Sequence, residues 1–358
     1  MSSSLNILYR LAWPLSPIYA LAMHFRAAAY RSGAFKSQRL PVPVISVGNL
    51  TLGGTGKTPM VLHIARLLDS HGRKPAVVSR GYGGASLDEV NVVSDGKTLL
   101  LPADLVGDEP RLLAENLPGV PVLTGPKRYP VARQAVEQLG VDCIILDDGF
   151  QHLALQRDHD VVLFNANALL GNGRVFPGGP LREPFTALRR ARVFVITGVD
   201  DDNRSSVAGF SSFLAQQFDI VPIFTAGYGV LGLHERTIDG LVPVSSQGVE
   251  PCFAFCGLAN PESFRRTLAR ERMAIVGFKA FRDHHAYSAR DMAELEKLAI
   301  AAGARSLITT EKDMVKLDPD SGITLPIYCL KVGLLLDEKF DRYILSLAEI
   351  LVNKQDLS

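Results

Sequence analysis

Short apolar runs at residues 42–47, 76–79, 120–123, 143–146, 161–164 and 193–197 alternate with stretches of helical period at 60–70, 111–116 and 129–139. Runs this short between turn formers read as buried strands, and the amphipathic stretches between them read as crossover helices. The alternation predicts a mainly parallel sheet covered by helices on both faces, with ligands gathering at the carboxyl ends of the strands. Around 205–209 and again at 242–251 the chain turns small and polar, and the apolar runs 221–225 and 230–233 between them predict a ribbon joining two domains. A second α/β unit starts with the run 252–256, turns at Gly257-Leu258-Ala259-Asn260-Pro261 and continues as a helix from Glu262. Ser288 with Asp291 forms a capping box that opens a helix running to Ala302, followed by a strand at 306–309.

The first strand enters Ser46-Val47-Gly48-Asn49-Leu50-Thr51-Leu52-Gly53-Gly54-Thr55-Gly56-Lys57-Thr58-Pro59, and a helical pattern leaves it. Between strand and helix, small residues let successive backbone N–H groups turn toward an anion. Lys57 adds a charge for β/γ-phosphates, and Thr58 offers a hydroxyl to Mg²⁺. The general pattern G-x-x-x-x-G-K-[ST] has Gly where this chain has Thr51. The loop is therefore a variant P-loop with its Gly-Gly-x-Gly-Lys-Thr core intact, set against the plainer alternative of a glycine-rich turn that caps a helix.

The chain has 358 residues, 47% of them hydrophobic and 21% charged, enough for two domains with sizeable cores. Its 38 Lys and Arg against 37 Asp and Glu give no global charge that argues for nucleic acid. The balance breaks at the start, where no acid precedes Asp69 while Arg10, Arg26, Arg31, Lys36 and Arg39 accompany Leu5, Ile7, Leu8, Leu11, Trp13, Leu15, Tyr19, Leu21, Met23 and Phe25. That mixture suits a segment lying in a bilayer interface, and it equally suits a helix packed on its own domain. The uncharged stretch 11–23 is shorter than the roughly 20 residues of a membrane span, and Pro14 and Pro17 interrupt it. Cys143, Cys252, Cys256 and Cys329 are scattered and imply neither a zinc site nor a disulfide framework, as in a reducing cytosol.

Asp147 and Asp148 follow a buried strand in Leu146-Asp147-Asp148-Gly149-Phe150-Gln151-His152. Beside a P-loop, carboxylates there can hold Mg²⁺ directly or through water, although aspartates at strand ends also cap turns. Gln151 and His152 face the same crevice or pack beneath it. Gly107-Asp108-Glu109-Pro110 is a common helix start, and it is also a place from which an aspartate can take the proton of an alcohol. Asp283-His284-His285 lies in a loop before the Ser288 cap. Lys127, Arg128, Arg182, Glu183 and the run Thr309-Thr310-Glu311-Lys312-Asp313 add charged groups at strand ends and glycine-rich loops.

Together these motifs resemble those of the tetraacyldisaccharide 4′-kinases of lipid A biosynthesis. The resemblance runs through Ser79-Arg80-Gly81-Tyr82-Gly83, Gly107-Asp108-Glu109-Pro110, Leu146 to His152, Pro180-Leu181-Arg182-Glu183-Pro184, Phe255-Cys256-Gly257 with Asn260-Pro261, Phe281-Arg282-Asp283-His284-His285 and Thr310-Glu311-Lys312-Asp313. Thr51 belongs to the family's own loop pattern, and a small departure from the family lies in Pro177-Gly178-Gly179-Pro180, where Ala is expected near Gly178. The resemblance implies an ATP- and Mg²⁺-dependent kinase that phosphorylates the 4′-hydroxyl of a tetraacylated glucosamine disaccharide 1-phosphate to give lipid IVA. It favours the membrane-interface role of the N-terminus, as a peripheral or monotopic protein on the cytoplasmic face of the bacterial inner membrane. It implies a base pair of Asp108 and His284, nucleotide contacts from Thr51, Leu52, Gly53, Gly54, Thr55, Gly56, Lys57, Thr58 and His152, metal contacts from Thr58, Asp147 and Asp148, and substrate contacts from Arg128, Arg182 and Glu183. The expected layout is an interface segment at 1–35, a P-loop kinase domain at 36–220, a linker ribbon at 221–250 and a smaller α/β domain at 251–358. A P-loop GTPase switch and a membrane scaffold with a vestigial nucleotide site are the alternatives, and intact Gly56-Lys57-Thr58 with Asp147-Asp148 speaks against the second.

Overall fold

A computed structural model describes residues 9–355 apart from 87, 238–239, 246–248, 259 and 319–321. Leu5, Ile7, Leu8 and Ala259, named above, lie outside the described residues. Strands β1 (Val44–Asn49), β2 (Pro75–Ser79), β3 (Asn91–Ser94), β4 (Val122–Thr124), β5 (Cys143–Asp147), β6 (His159–Asn165) and β7 (Val193–Thr197) lie in the order β7-β6-β1-β5-β2-β4-β3. Every neighbour pair among them is parallel except β3–β4 at the edge. The expected mainly parallel α/β sheet is therefore present. Strands β1, β2, β5 and β7 are buried along their whole length, as the unbroken Val, Ile and Leu runs require when both faces are covered.

The faces are covered by α1 (Ser16–Arg31), α2 (Lys57–Ser70), α3 (Asp108–Asn116), α4 (Arg128–Leu139) and α5 (Arg204–Gln217). Met60, Ile64 and Leu68 of α2, spaced four apart, meet Leu113, Val47 and Ile145 in one core, while Phe150, Phe164, Phe194, Phe210 and Leu214 build the core on the opposite face. Tyr19 and Ala20 of α1 pack against that second core.

The apolar runs 221–225 and 230–233, expected as two strands of a ribbon, belong to one long strand, β8 (Ile223–Thr237). Its first residues pair in parallel with β7, and its outer part pairs antiparallel both with the hairpin strand β9 (Gly240–Val244) and with later chain. Beyond it stand β10 (Cys252–Cys256), β11 (Ile275–Ala280), β12 (Ser306–Thr310) and β13 (Ile327–Leu335), in the order β11-β10-β12-β13-β8. One sheet thus runs through the whole chain, its two halves sharing β8. Helices α6 (Pro261–Arg270), α7 (Ala289–Ala301) and the one-turn α8 (Glu311–Met314) accompany the second half. The capping box at Ser288 and Asp291 is formed as expected. The last helix, α9 (Glu338–Gln355), returns to the first half, where Phe340 and Ile344 enter the core beside Ile64. Burial of such side chains stabilises that return by about 1.5–3 kcal/mol each.

Candidate functional site

β1 ends at Asn49, and the chain reverses through residues 50–56 into α2, whose first residue is Lys57. Gly53 and Gly56 have φ of +106° and +76°, values that residues with a Cβ avoid. At Gly56 a Cβ would also stand 2.5 Å from the Tyr228 hydroxyl. The loop is held from outside by Asn49 Nδ2 donating to Thr51 O at 2.8 Å, Asn165 Nδ2 to Gly54 O at 3.1 Å and Thr197 Oγ1 to Thr55 O at 2.8 Å. Thr51 is buried and bridges Leu181, and Leu52 N–H donates to Pro180 O at 2.7 Å. With carbonyls tied down behind it, the loop presents N–H groups and the positive end of α2 on its other side, as anion binding requires.

Register carries the acids to this loop. Val47 pairs with Asp147 on β5, and Leu146 pairs with Val78 of β2, so Asp147 ends beside Val47 on one side and Ser79 on the other. Ser79 Oγ donates to Asp147 Oδ2 at 3.2 Å, while Asp147 Oδ1 is buried with no hydrogen-bond partner. Burial, with Glu109 and Asp148 adding negative charge, pushes the Asp147 carboxyl up to about 7. Asp148 follows at a φ of +50°. Burial opposes its charge too, but Lys57 at 3.6 Å and Arg182, whose Nη1 is 2.9 and 2.8 Å from the two carboxylate oxygens, outweigh it and hold Asp148 below the usual carboxylate range.

Around these acids stand buried cations. Arg128, first residue of α4, is buried with its Nε unpartnered, and burial together with Arg80 works against its charge. His152 Nε2 is also buried without a partner, and burial with the nearby Arg128 and Arg157 lowers that imidazole to about 4, leaving it neutral at pH 7. Arg182 Nε and Thr55 Oγ1 complete a set of buried, unpaired polar atoms around the loop. Buried polar groups are paired as a rule, so a concentration of exceptions with this donor-rich chemistry fits a polyanion and its counter-ion. Asp147 Oδ1 and the Thr58 hydroxyl at the start of α2 are of the type that holds Mg²⁺, whereas Asp148 is engaged by Arg182 and Lys57. No group of three or more His, Cys, Asp or Glu fit to hold a metal by themselves occurs among the described residues.

Asp108 is the first residue of α3, placed by Gly107 at φ +94°. His284, at φ +57° in the loop after β11, reaches it across the two halves of the sheet, with Nδ1 3.2 Å from Asp108 Oδ2. Among the predicted groups, Lys57, Arg128, Asp147, Asp148, His152 and Arg182 lie within electrostatic reach of one another, Asp108 meets His284, and Glu183 is engaged elsewhere. That carboxylate is buried and both its oxygens are held at 3.0 Å by Arg190, which also donates to Phe150 O at 3.2 Å and lies over the Phe150 ring. Glu183 acts on its surroundings through this pair, which fixes the turn carrying Phe150. Sequence reading missed Arg190, Tyr228 and Ser79 as neighbours of the site; only pairing across the fold reveals them. It also set Arg26 among lipid-facing cations, but Arg26 Nη2 donates to Gln151 O at 3.0 Å, and Tyr19 Oη donates to Arg182 O at 3.0 Å. The Asn-Lys-x-Asp signature of guanine recognition occurs at Asn353-Lys354-Gln355-Asp356, where residues 353–355 end helix α9 rather than follow a strand, and Asp356 lies outside the described residues.

A parallel sheet whose central strand feeds a glycine-rich loop and helix start, with paired carboxylates at the end of the next strand, defines a P-loop α/β enzyme of the phosphoryl-transfer kind. The family model described as tetraacyldisaccharide-1-P 4′-kinase matches residues 8–349, and the chain belongs to that family of kinases. Tetraacyldisaccharide 4′-kinase of Desulfotalea psychrophila is 46% identical over 344 residues, covering 95% of this chain and 97% of that one. The enzyme of the same name from Syntrophus aciditrophicus is 43% identical over 329 residues, 88% of this chain and 86% of that one. A crystal structure of LpxK from Aquifex aeolicus in complex with ATP superposes with a TM-score of 0.76 at 30% identity, covering 95% of this chain and 99% of that one.

Proposed function

We propose that this kinase transfers the γ-phosphoryl group of ATP to the 4′-hydroxyl of a tetraacylated glucosamine disaccharide 1-phosphate, giving lipid IVA, with Mg²⁺ as cofactor. The observation that carries the chemistry is the Asp108–His284 contact at 3.2 Å, which joins an acid at a helix start to an imidazole from the other half of the sheet. The acceptor 4′-oxygen forms the new P–O bond as its proton passes to Asp108, and the bond from the γ-phosphorus to the β–γ bridging oxygen breaks to release ADP. His284 Nδ1–H holds the Asp108 carboxylate in place. The backbone of residues 51–58, with Lys57 and His152, receives the triphosphate, and Arg128 and Arg182 hold phosphate of ATP or of the acceptor. Thr58 and Asp147 would hold Mg²⁺, which when bound would offset negative charge on the triphosphate, while Asp148 keeps Lys57 and Arg182 in place. Glu183 supports the site through Arg190.

In this reading residues 36–220 form the nucleotide-binding domain, 221–250 the link, and 251–358 the smaller domain that brings His284. Residues 1–35 meet the membrane on the cytoplasmic face of the inner membrane. Support for that comes from Leu11, Leu15, Ile18, Leu21 and Phe25, all more than half exposed, with Ile18 at 67% and Phe25 at 64%. Those on α1 recur every three or four residues and form one apolar stripe beside Trp13. A cavity of about 350 Å³ between α1 and the 173–185 loop, lined by Trp13, Pro17, Val175 and Phe185, is a suitable seat for part of an acyl chain. No helix among the described residues is long and apolar enough to cross a membrane.

The direct test incubates purified protein with γ-labelled ATP, Mg²⁺ and the disaccharide 1-phosphate in detergent. Label is expected in the lipid, suppressed by EDTA and absent with Lys57→Ala. ATP hydrolysis without lipid labelling would overturn the assignment of the acceptor.

A further inference from the structure

The turn Thr310-Glu311-Lys312-Asp313 holds two acids inside and one cation outside. Asp313 is fully buried; it accepts from Gly257 N–H at 3.0 Å and Thr310 Oγ1 at 2.7 Å, and Lys316 Nζ lies 2.8 Å from its other oxygen. The Glu311 side chain, 11% exposed, lies 3.6 Å from Lys331 on β13 and close to Arg66 of α2. Pinned at both flanks, α8 has little freedom, and Lys312 between them is held over the cleft. Its Nζ is 3.0 Å from His284 Nε2 and 3.5 Å from Asp283 Oδ1. On the far side of the same ring, Nδ1 faces Asp108.

An ammonium has donors only, so in this contact Nε2 must accept. The ring proton then stands on Nδ1 and is donated to Asp108 Oδ2. Three charged groups face the imidazole: Asp108 from α3, Asp283 from its own loop and Lys312 from α8.

We infer that Lys312 is a positioning residue for phosphoryl transfer, which fixes His284 in the Nδ1–H tautomer so that the ring donates to Asp108. The inference rests on the assignment of Asp108 and His284 as the base. In this reading Lys312 acts through His284.

The test compares wild type, Lys312→Met, Lys312→Arg, His284→Ala and the double variant in the full-length protein, with ATP and the lipid acceptor. Lys312→Met is expected to lower kcat roughly tenfold, a fraction of the about 10²–10⁴ that a positioned base supplies in all, with KM for ATP unchanged. Lys312→Arg is expected to restore kcat. In the His284→Ala background the lysine substitution is expected to add almost nothing, as residues acting as a unit do not multiply. Nitrogen NMR of the His284 ring, which needs no turnover, is expected to show the Nδ1–H tautomer in wild type and a mixture in Lys312→Met. A full further loss in the His284→Ala background, a raised KM at constant kcat or an unchanged tautomer would each overturn the inference. Because the NMR readout stands apart from the acceptor, failure of the lipid assay does not touch it.

Discussion

Replacing Asp147 by Asn separates the cost of burying this carboxylate from its use. The group is expected to keep its proton to about 7 in the folded protein, against 3.8 ordinarily. That difference corresponds to about 4 kcal/mol at ~1.36 kcal/mol per pKa unit, a ceiling that relaxation of the site reduces. Below pH ~4 both states are protonated and the full contribution is present. Between ~4 and ~7 the unfolded chain has released a proton that the folded chain retains, so stability falls as pH rises, and above ~7 the loss is complete. His152 works the other way, since its lowered value of about 4 makes stability rise with pH between ~4 and ~6.5. The wild-type curve alone is therefore ambiguous, and the difference between variant and wild type is the diagnostic quantity. Thermal unfolding of both proteins without nucleotide from pH 5 to pH 8 is expected to show Asp147→Asn gaining on wild type by several degrees as pH rises, while kinase activity and stabilisation by Mg²⁺ with ATP are lost. Parallel curves across that range would refute the burial argument. Retained activity would refute the metal role.

Arg190→Ala is expected to destabilise the fold by about 3–5 kcal/mol in denaturant titrations, because it leaves Glu183 buried and unpaired; Glu183→Gln with Arg190→Met should lose clearly less. In Gly48→Ala the new Cβ would stand 2.6 Å from Phe150 Cβ and 2.8 Å from its N, so overpacking of about 1–3 kcal/mol and a displaced Asp148 are expected, seen as a lower unfolding temperature with a fall in kcat. Asp108→Ala and His284→Ala should each lower kcat while their double variant loses much less than the product, and simple multiplication would separate the two residues. Ile18→Asp with Leu21→Asp, both on the exposed stripe of α1, should leave unfolding within about 0.5 kcal/mol of wild type yet weaken sedimentation with anionic vesicles more than tenfold. Undiminished vesicle binding would return α1 to a purely structural role.

What the sequence determined by itself is whatever depends on neighbours along the chain. The P-loop is local, since Gly53, Gly56 and Lys57 are fixed by the backbone of one strand–turn–helix unit, and so are the capping box at Ser288 and the parallel sheet read from apolar runs. The Asp108–His284 pairing was legible only through the resemblance, because no local rule joins residues 176 positions apart. Tertiary structure alone decided the rest. Apolar runs 221–225 and 230–233 look like two strands because Ala226-Gly227-Tyr228-Gly229 breaks the hydrophobic pattern, yet pairing with β7 and β13 carries the backbone straight through. Glu183 looks like any charge beside an arginine until burial against Arg190 withdraws it from the cleft. Lys312 looks like one cation in a charged turn, and its place over His284 follows from the acids held on either side, whose surroundings are set by the packing of β13, α2 and the 257 turn. Burial and long-range pairing are properties of the assembled sheet, and they decide which of many charged residues become chemistry.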